Sequence, residues 1–417
     1  MYNLKEYNNA PGELITEDAN KNLHLEHLED NVLNRGVSGA RESINFLRSL
    51  RDMLSGNTQN RFNVTTKWDG APAIFAGINP DNGKFFVGTK GIFNKNAKLN
   101  YTDEDIDTNH ASPGLNKKLK VALRYLAKLD IQGIIQGDML FSKGDISTVK
   151  IQGVQHISFQ PNTIVYTVPS DSKLAKSMVS AQMGIVFHTS YTGTSMESME
   201  ASFNVDIGNL SPTKDVWFRD ASLVDVSGTV TFTEIETIQL GEILSEAGRL
   251  FRIINPLTLN RIPTSEIIRT QIKTFMNTKV REGTEVKDTA RFTSELIHWV
   301  ESKYNATIID AKKEETKRKR ITEKNEVMRF YRSYQNDLKM IFDLMNIIVR
   351  AKMIFVRKLS QMKSSVGTYI RTDDDGLKIT GPEGFVVVDH TGKNALKLID
   401  RLSFSHDNFT AQKNWSK

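Results

Sequence analysis

Thr65-Thr66-Lys67-Trp68-Asp69-Gly70-Ala71-Pro72 is the stretch on which the reading of this chain turns. Two β-branched residues lead into a lysine, and Asp-Gly two residues later favours a tight turn with positive φ. The pattern places an amine at a strand end, beside a turn. A neutral lysine amine is a nucleophile, provided that desolvation or nearby positive charge lowers its pKa. Lys-x-Asp-Gly is short and recurs by chance, and a solvated lysine before a turn is the plain alternative.

Outward from this stretch the texture is that of short strands. Asn63–Thr66, Ala73–Ala76, Lys84–Val87, Ile134–Leu140, Ile164–Val168 and Gly184–His188 are predicted strands, with a Lys- and Leu-rich helix over about 116–129. Residues 1–60 read as helical: Ile44, Leu47, Leu50 and Leu54 keep helical spacing after a break at Gly36–Gly39. From about 233 to 368 the pattern is helical again, with Ile235–Ile254, Thr264–Val280 and Thr289–Tyr304 followed by one long basic segment. Strands return over Tyr369–Asp400. The expected class is α+β. A helical segment (1–60) precedes a β-rich core (61–232), and a helical insertion (233–368) separates that from the core's last part (369–417).

The chain has 417 residues and no cysteine, which excludes disulfides, thiol nucleophiles and Cys-ligated metal sites. No apolar run approaches the roughly 18–20 residues of a spanning helix, and Met1-Tyr2-Asn3-Leu4-Lys5-Glu6 has no signal-peptide core. A cytoplasmic protein without a membrane partner is expected.

Four further stretches follow Lys67 in order. Gly88-Thr89-Lys90-Gly91 comes after two β segments, and Ile135-Gln136-Gly137-Asp138-Met139-Leu140 is an apolar strand carrying one carboxylate. Glu383-Gly384-Phe385-Val386-Val387-Val388 is another apolar strand headed by a carboxylate, and Ala395-Leu396-Lys397-Leu398-Ile399-Asp400 follows it.

This ordered series resembles the covalent nucleotidyltransferase superfamily of ATP-dependent DNA ligases, RNA ligases and mRNA capping enzymes, over about residues 60–190 and 380–402. The resemblance implies a nucleotidyltransferase core and ATP-dependent polynucleotide ligation through lysyl–AMP. It makes Lys67 the nucleophile, with Asp69 and Gly70 completing the first motif and Lys90 in the basic position of the next. It places Asp138 in the third motif, Glu383 in the fourth and Lys397 in the fifth. Lys67, Asp69 and Lys397 are thereby the catalytic candidates. Lys67, Gly70, Lys90, Asp138, Glu383 and Lys397 would bind ATP, and Asp138 and Glu383 would hold Mg²⁺, a hard ion suited to carboxylates. Pro72 stands where DNA ligases usually carry Arg, Asp138 replaces the usual Glu, and Ile399 replaces the second lysine of Lys-x-Lys. Twenty residues follow Lys397, too few for a C-terminal OB-fold. The texture is similar to phage-type RNA ligases, so RNA is the expected partner. A DNA nick is the alternative substrate, and a catalytically weakened nucleic-acid-binding protein the alternative class.

The basic segment adds a second expectation. Ala311–Lys363 holds 15 Lys and Arg against six Asp and Glu, an excess of nine in a chain whose net charge is +6. Val327, Tyr331, Tyr334, Leu338, Ile341, Met345 and Ile348 recur at helical spacing, predicting one amphipathic helix with an apolar stripe. Lys317-Arg318-Lys319-Arg320 is either a solvated face or a contact surface for nucleic-acid phosphates. Other clusters read as structure. His24 and His27 suit a solvated helix face better than half a metal site, and Asp103-Glu104-Asp105 suits a helix N-terminus. Asp373-Asp374-Asp375-Gly376 suits a hairpin turn, and Gly392-Lys393-Asn394 lacks the pattern of a phosphate-binding loop.

Overall fold

The computed structural model describes residues 27–56, 63–203, 205–220, 232–360, 366–371, 377–379, 384–388, 395–402 and 404. Helix α1 (Asn31–Leu54) is followed by β1 (Asn63–Lys67), β2 (Ala73–Ile78), β3 (Phe85–Gly88), α2 (Asp103–Asn109), α3 (Pro113–Leu126) and β4 (Ile134–Ser142). Then come β5 (Ser147–Ile151), β6 (Val154–Phe159), β7 (Val165–Pro169), α4 (Lys173–Ser180), β8 (Met183–Thr192), β9 (Glu200–Ser202) and β10 (Val216–Asp220). Six helices follow: α5 (Glu234–Ile253), α6 (Pro256–Thr264), α7 (Glu266–Arg281), α8 (Thr289–Ile309), α9 (Glu314–Ser333) and α10 (Gln335–Leu359). Strands β11 (Gly367–Arg371), β12 (Leu377–Ile379), β13 (Gly384–Val388) and β14 (Ala395–Leu398) close the order. The architecture is α+β, and among the described residues the strand pairings are antiparallel except that of β8 with β10. No helix among the described residues is long and apolar enough to cross a membrane.

The chain divides into two compact units. One contains Gly70–Gly144 and Lys176–Asp220. Its sheet runs β10-β8-β4-β2-β3, with β9 added beside β8. One face of that sheet (Ile74, Ala76, Ile135, Met139, Ile185, Phe187) packs on Leu119, Ala122 and Leu126, the apolar stripe of α3. The opposite face offers Phe75 to Ile92 and Phe93 of a 3₁₀ turn at Lys90–Phe93. Asp103, Glu104 and Asp105 open α2, where Thr102 and Asp105 form a reciprocal cap, as the sequence suggests.

The other unit contains Leu25–Asp69, Asp145–Ala175 and Ala221–Lys417. It holds a three-stranded sheet, β1-β13-β14, a five-stranded sheet, β12-β11-β7-β6-β5, and the helices α1 and α5–α10. The β5–β6 hairpin, which the polar sequence conceals, turns on Gln152 and Gly153 with φ of +48° and +83°, as a tight two-residue hairpin turn requires. Helix α1 is interrupted at Gly36 (φ +58°, ψ −128°), within the Gly36–Gly39 break that the sequence predicts, so two helical stretches meet there across a kink; an added Cβ would lie 2.6 Å from Asn260 Oδ1.

The basic segment is two helices, not one. Tyr334 leaves helical geometry (φ −114°, ψ 23°) between α9 and α10, among the weak helix formers Ser333 and Asn336, and its ring packs 5.3 Å from Phe330. The apolar stripe survives the break. Val327 and Tyr331 on α9 join Leu338, Ile341, Met345 and Ile348 on α10 in one core with α1, α5–α8, β13 and β14. Inside that core Lys352 of α10 donates to both oxygens of Glu29, at 2.9 and 2.7 Å, with both side chains buried. Burial works to raise the Glu29 carboxyl's pKa, but the Lys352 ammonium prevails and holds it below the ordinary carboxylate range.

Candidate nucleotidyl-transfer site

Strand β1 pairs with β13 and β13 with β14, so the first, fourth and fifth motif segments lie side by side in one sheet. The register aligns Thr65 with Val386 and Val386 with Lys397, while Lys67 aligns with Gly384. Cross-strand partners share a face, and residues two apart along a strand share it too. Lys67 and Lys397 therefore sit on one face of this sheet. The other face, Phe385, Val387 and Leu398, is sealed into the helical core. Gly384 has φ +148°, and a Cβ there would lie 2.6 Å from Ile399 Cγ1 and from the Leu398 carbonyl. Glycine is thus required opposite Lys67. Ile399 is 2 % exposed, so an apolar group packs beside Gly384 where the resemblance has a second lysine.

Asp69 is 4 % exposed and its carboxylate accepts three hydrogen bonds. Asn162 Nδ2 donates to Oδ1 at 2.7 Å, and the backbone amides of Thr163 and Ile164 donate to Oδ2 at 2.6 and 2.7 Å. Its own amide donates to the Tyr166 hydroxyl at 2.7 Å, and Trp68 packs on the same tyrosine ring at 5.0 Å. Asp69 thereby ties the segment after Lys67 to the loop between β6 and β7. The sequence does not disclose Asn162, Thr163 and Ile164, because the partners are mostly main-chain amides.

Lys67, Asp69 and Lys397 belong to one unit, and Gly70, Lys90 and Asp138 to the other. In the latter, Asp138 lies on the central strand β4, in register with Ala73 on one side and Val186 on the other. This is the face opposite α3, the same face on which the Lys90–Phe93 turn packs. Lys90 itself is exposed, on a turn that Thr89 caps by accepting from the Gly91 amide. A Cβ on Gly70 would stand 2.5 Å from Asp138 Cβ, so glycine permits the chain to pass directly over this carboxylate.

The sequence reading missed His188. The β4–β8 register runs Gln136 with Thr189 and then Gly137 with Phe187, which leaves His188 as the extra residue of a β-bulge. A bulge re-aims a side chain, and here His188 Nε2 lies 3.7 Å from Asp138 Oδ1 while Nδ1 is 2.8 Å from the Thr189 hydroxyl. Only the register shift, invisible in sequence, marks it.

Glu383 lies outside the described residues, as do His24, Asp373–Gly376 and Gly392–Asn394. No cluster of three His, Cys, Asp or Glu able to hold a metal occurs among the described residues. Asp138 alone suits Mg²⁺ of the kind that keeps most of its waters and leans on substrate phosphates. His27 corrects the expectation of a solvated helix face. It precedes a 3₁₀ turn (Leu28–Asp30), bridges to Lys397 along the outer edge of β14, and has its Nδ1 sealed from solvent with no hydrogen-bond partner among the described residues. Burial lowers its pKa to about 3. Of the basic cluster, Lys317 lies 3.9 Å from Glu314 and Arg320 donates to the Thr307 carbonyl, whereas Arg318 and Lys319 are exposed.

Among known proteins, the model of the Family of unknown function (DUF6267) matches residues 22–413. No curated protein and no solved structure matches the chain.

Proposed function

Since the chain belongs to that family, whose description carries no activity, we propose from its own residues that it is an ATP-dependent polynucleotide ligase working through a lysyl–AMP intermediate, with RNA ends as substrate. The observation that carries the proposal is the shared face of Lys67 and Lys397 on a sheet whose reverse side is closed by core. An amine attacking an α-phosphate needs positive charge beside it to stabilise the phosphoryl oxygens and the departing pyrophosphate. Lys397 stands one strand beyond the partner of β1 and supplies that charge. Asp138 would hold Mg²⁺, whose contribution is to neutralise phosphate charge during attack. Lysyl–AMP would then pass AMP to a 5′-phosphate, and a 3′-hydroxyl would displace it. Arg318 and Lys319 on α9 would contact the polynucleotide.

The test is covalent labelling. Purified protein is incubated with α-labelled ATP or α-labelled GTP and Mg²⁺, then denatured. Label from ATP that is acid-labile and base-stable, and absent from Lys67→Ala, is the expected result; undiminished label in Lys67→Ala removes the nucleophile. End-joining assays on RNA and on nicked DNA separate the two substrates. A second reading rests on Ile399: an apolar residue in place of the second lysine favours a weakened, ligase-derived nucleic-acid-binding protein. Absence of label with every divalent ion tried would select it.

A further inference from the structure

We infer that the α3 side of the first unit carries a second, independent groove for a polynucleotide backbone, centred on Lys117, Arg124 and Lys143. The inference rests on the ligase reading only for its choice of polyanion. A cleft of about 620 Å³ runs between α2, α3 and the end of β4, and its charged lining is Lys117, Lys120, Arg124 and Lys143 against Asp103 and Asp107. The two carboxylates are not equivalent targets for these cations. Asp107 is already held by Lys120 at 2.6 Å and by Asn116 Nδ2 at 3.1 Å, and Asp103 lies in the first turn of α2, where the helix dipole favours it. Lys118, beside them on α3, donates to the Ser142 hydroxyl at 3.1 Å. Lys117, Arg124 and Lys143 make no ion pair or side-chain hydrogen bond with a described residue, so three cations face the cleft with their charge uncompensated.

Spacing argues for a chain of phosphates rather than one. Lys117 and Arg124 are seven residues apart on a helix, about 10.5 Å along its axis at ~1.5 Å per residue. A single phosphate cannot meet both heads. A strand advancing ~3.4 Å per nucleotide places three steps across that span. A guanidinium at one end and two ammonium groups elsewhere suit phosphate oxygens, which accept from both. Acidic polypeptide is the other polyanion with comparable charge and serves as the comparison.

The test uses the full chain with Lys117→Gln, Arg124→Gln and Lys143→Gln combined, beside Lys120→Gln alone. All four sites lie outside the core and outside the proposed lysyl–AMP machinery. Fluorescence anisotropy with a labelled 20-nucleotide single-stranded RNA, the same DNA sequence and poly-glutamate is measured across a salt series. The expected result is a loss of about tenfold or more in RNA affinity for the triple variant. Its log–log salt slope should also be shallower by about 2, since each lost single-strand phosphate contact removes ~0.7. Lys120→Gln should lose less, because its charge is already occupied. Unchanged RNA affinity and slope in the triple variant overturns the groove, as does a loss confined to poly-glutamate. Self-adenylation is assayed in parallel. Absent wild-type label with RNA affinity still falling in the triple variant sinks the ligase reading and leaves the groove; label present with RNA affinity unchanged does the reverse.

Discussion

Helices α3 and α10 are both rich in lysine and arginine and both bury an apolar face, yet they dispose of their charge in opposite ways. On α10, Lys339 meets Asp343 at 2.7 Å, Arg350 meets Glu246 at 2.6 Å, Lys352 meets Glu29 at 2.7 Å and Lys358 meets Glu236 at 2.7 Å. On α3, Lys120 meets Asp107 at 2.6 Å, whereas Lys117 and Arg124 have no carboxylate partner among the described residues. The excess of nine positive charges over Ala311–Lys363 therefore overstates what that block offers a ligand, while α3, less conspicuous in sequence, offers more than its composition suggests. A count of basic residues measures supply, and the fold decides how much is left over.

The contrast can be broken first at its strongest point. Glu29→Gln leaves Lys352 buried and unpaired, and a loss of about 3–5 kcal/mol in stability is expected. Replacing both partners with apolar residues (Glu29→Leu with Lys352→Met) should recover most of it. Thermal unfolding of the three proteins checks this; a Glu29→Gln protein as stable as wild type means the pair is hydrated and not buried.

Carboxylates offer the next test, because Asp69 and Asp138 differ as α10 and α3 do. Asp69→Ala strips two main-chain amides and Asn162 of their acceptor, at ~1–3 kcal/mol for each buried group left unsatisfied. Both stability and labelling of Lys67 should fall. Asp138→Ala removes a partly exposed carboxylate near His188 and should abolish labelling with little change in unfolding temperature. Equal destabilisation by the two would erase the distinction.

Acid should find the same buried cluster. The folded pKa of His27, lowered by burial to about 3, lies below its ordinary 6.5, so the unfolded chain takes up the proton first. Stability is then full above about 6.5 and falls as pH drops toward 3. Glu29 has its folded pKa lowered as well, so its contribution is present above its ordinary 4.5 and is lost below that. The two windows overlap and share a sign. His27→Gln should flatten the upper part of the unfolding-temperature profile, and an unchanged profile would show that His27 is hydrated. The smallest effect belongs to the exposed pair on α10: Glu246→Gln, against Arg350, should change stability by ~0–1 kcal/mol, and more than that would put it in the class of Glu29.

What sequence discloses here follows periodicity. Strands β2, β4 and β8 were legible because β-branched and apolar residues alternate or run together, and helices α5, α7 and α8 because their stripes recur at helical spacing. Pairing was not legible: nothing local in Asn63–Lys67 names Gly384–Val388 as its neighbour. The shared face of Lys67 and Lys397 depends on that register, and His188 depends on a one-residue bulge. Asp69 was legible as part of a chemical motif, whereas the hydrogen bonds that it accepts from 162–164 were not. Tyr334 was misread because the apolar stripe continues across a break that only dihedral angles reveal.

The three-stranded sheet has a consequence in time. Its first strand ends at Lys67 and its middle strand begins at Gly384, 317 positions later. At about 5–20 residues per second, a ribosome needs roughly 15–60 s to make the intervening chain. Through most of that interval β1 has neither of the strands that complete its sheet, while α5–α10 are delivered in turn. Exposed strand edges invite pairing with other chains, so the nascent protein's most vulnerable segment is the one that carries Lys67. Nascent chains arrested before Gly384 should capture a β13 peptide (Gly384–Val388) that the finished protein ignores.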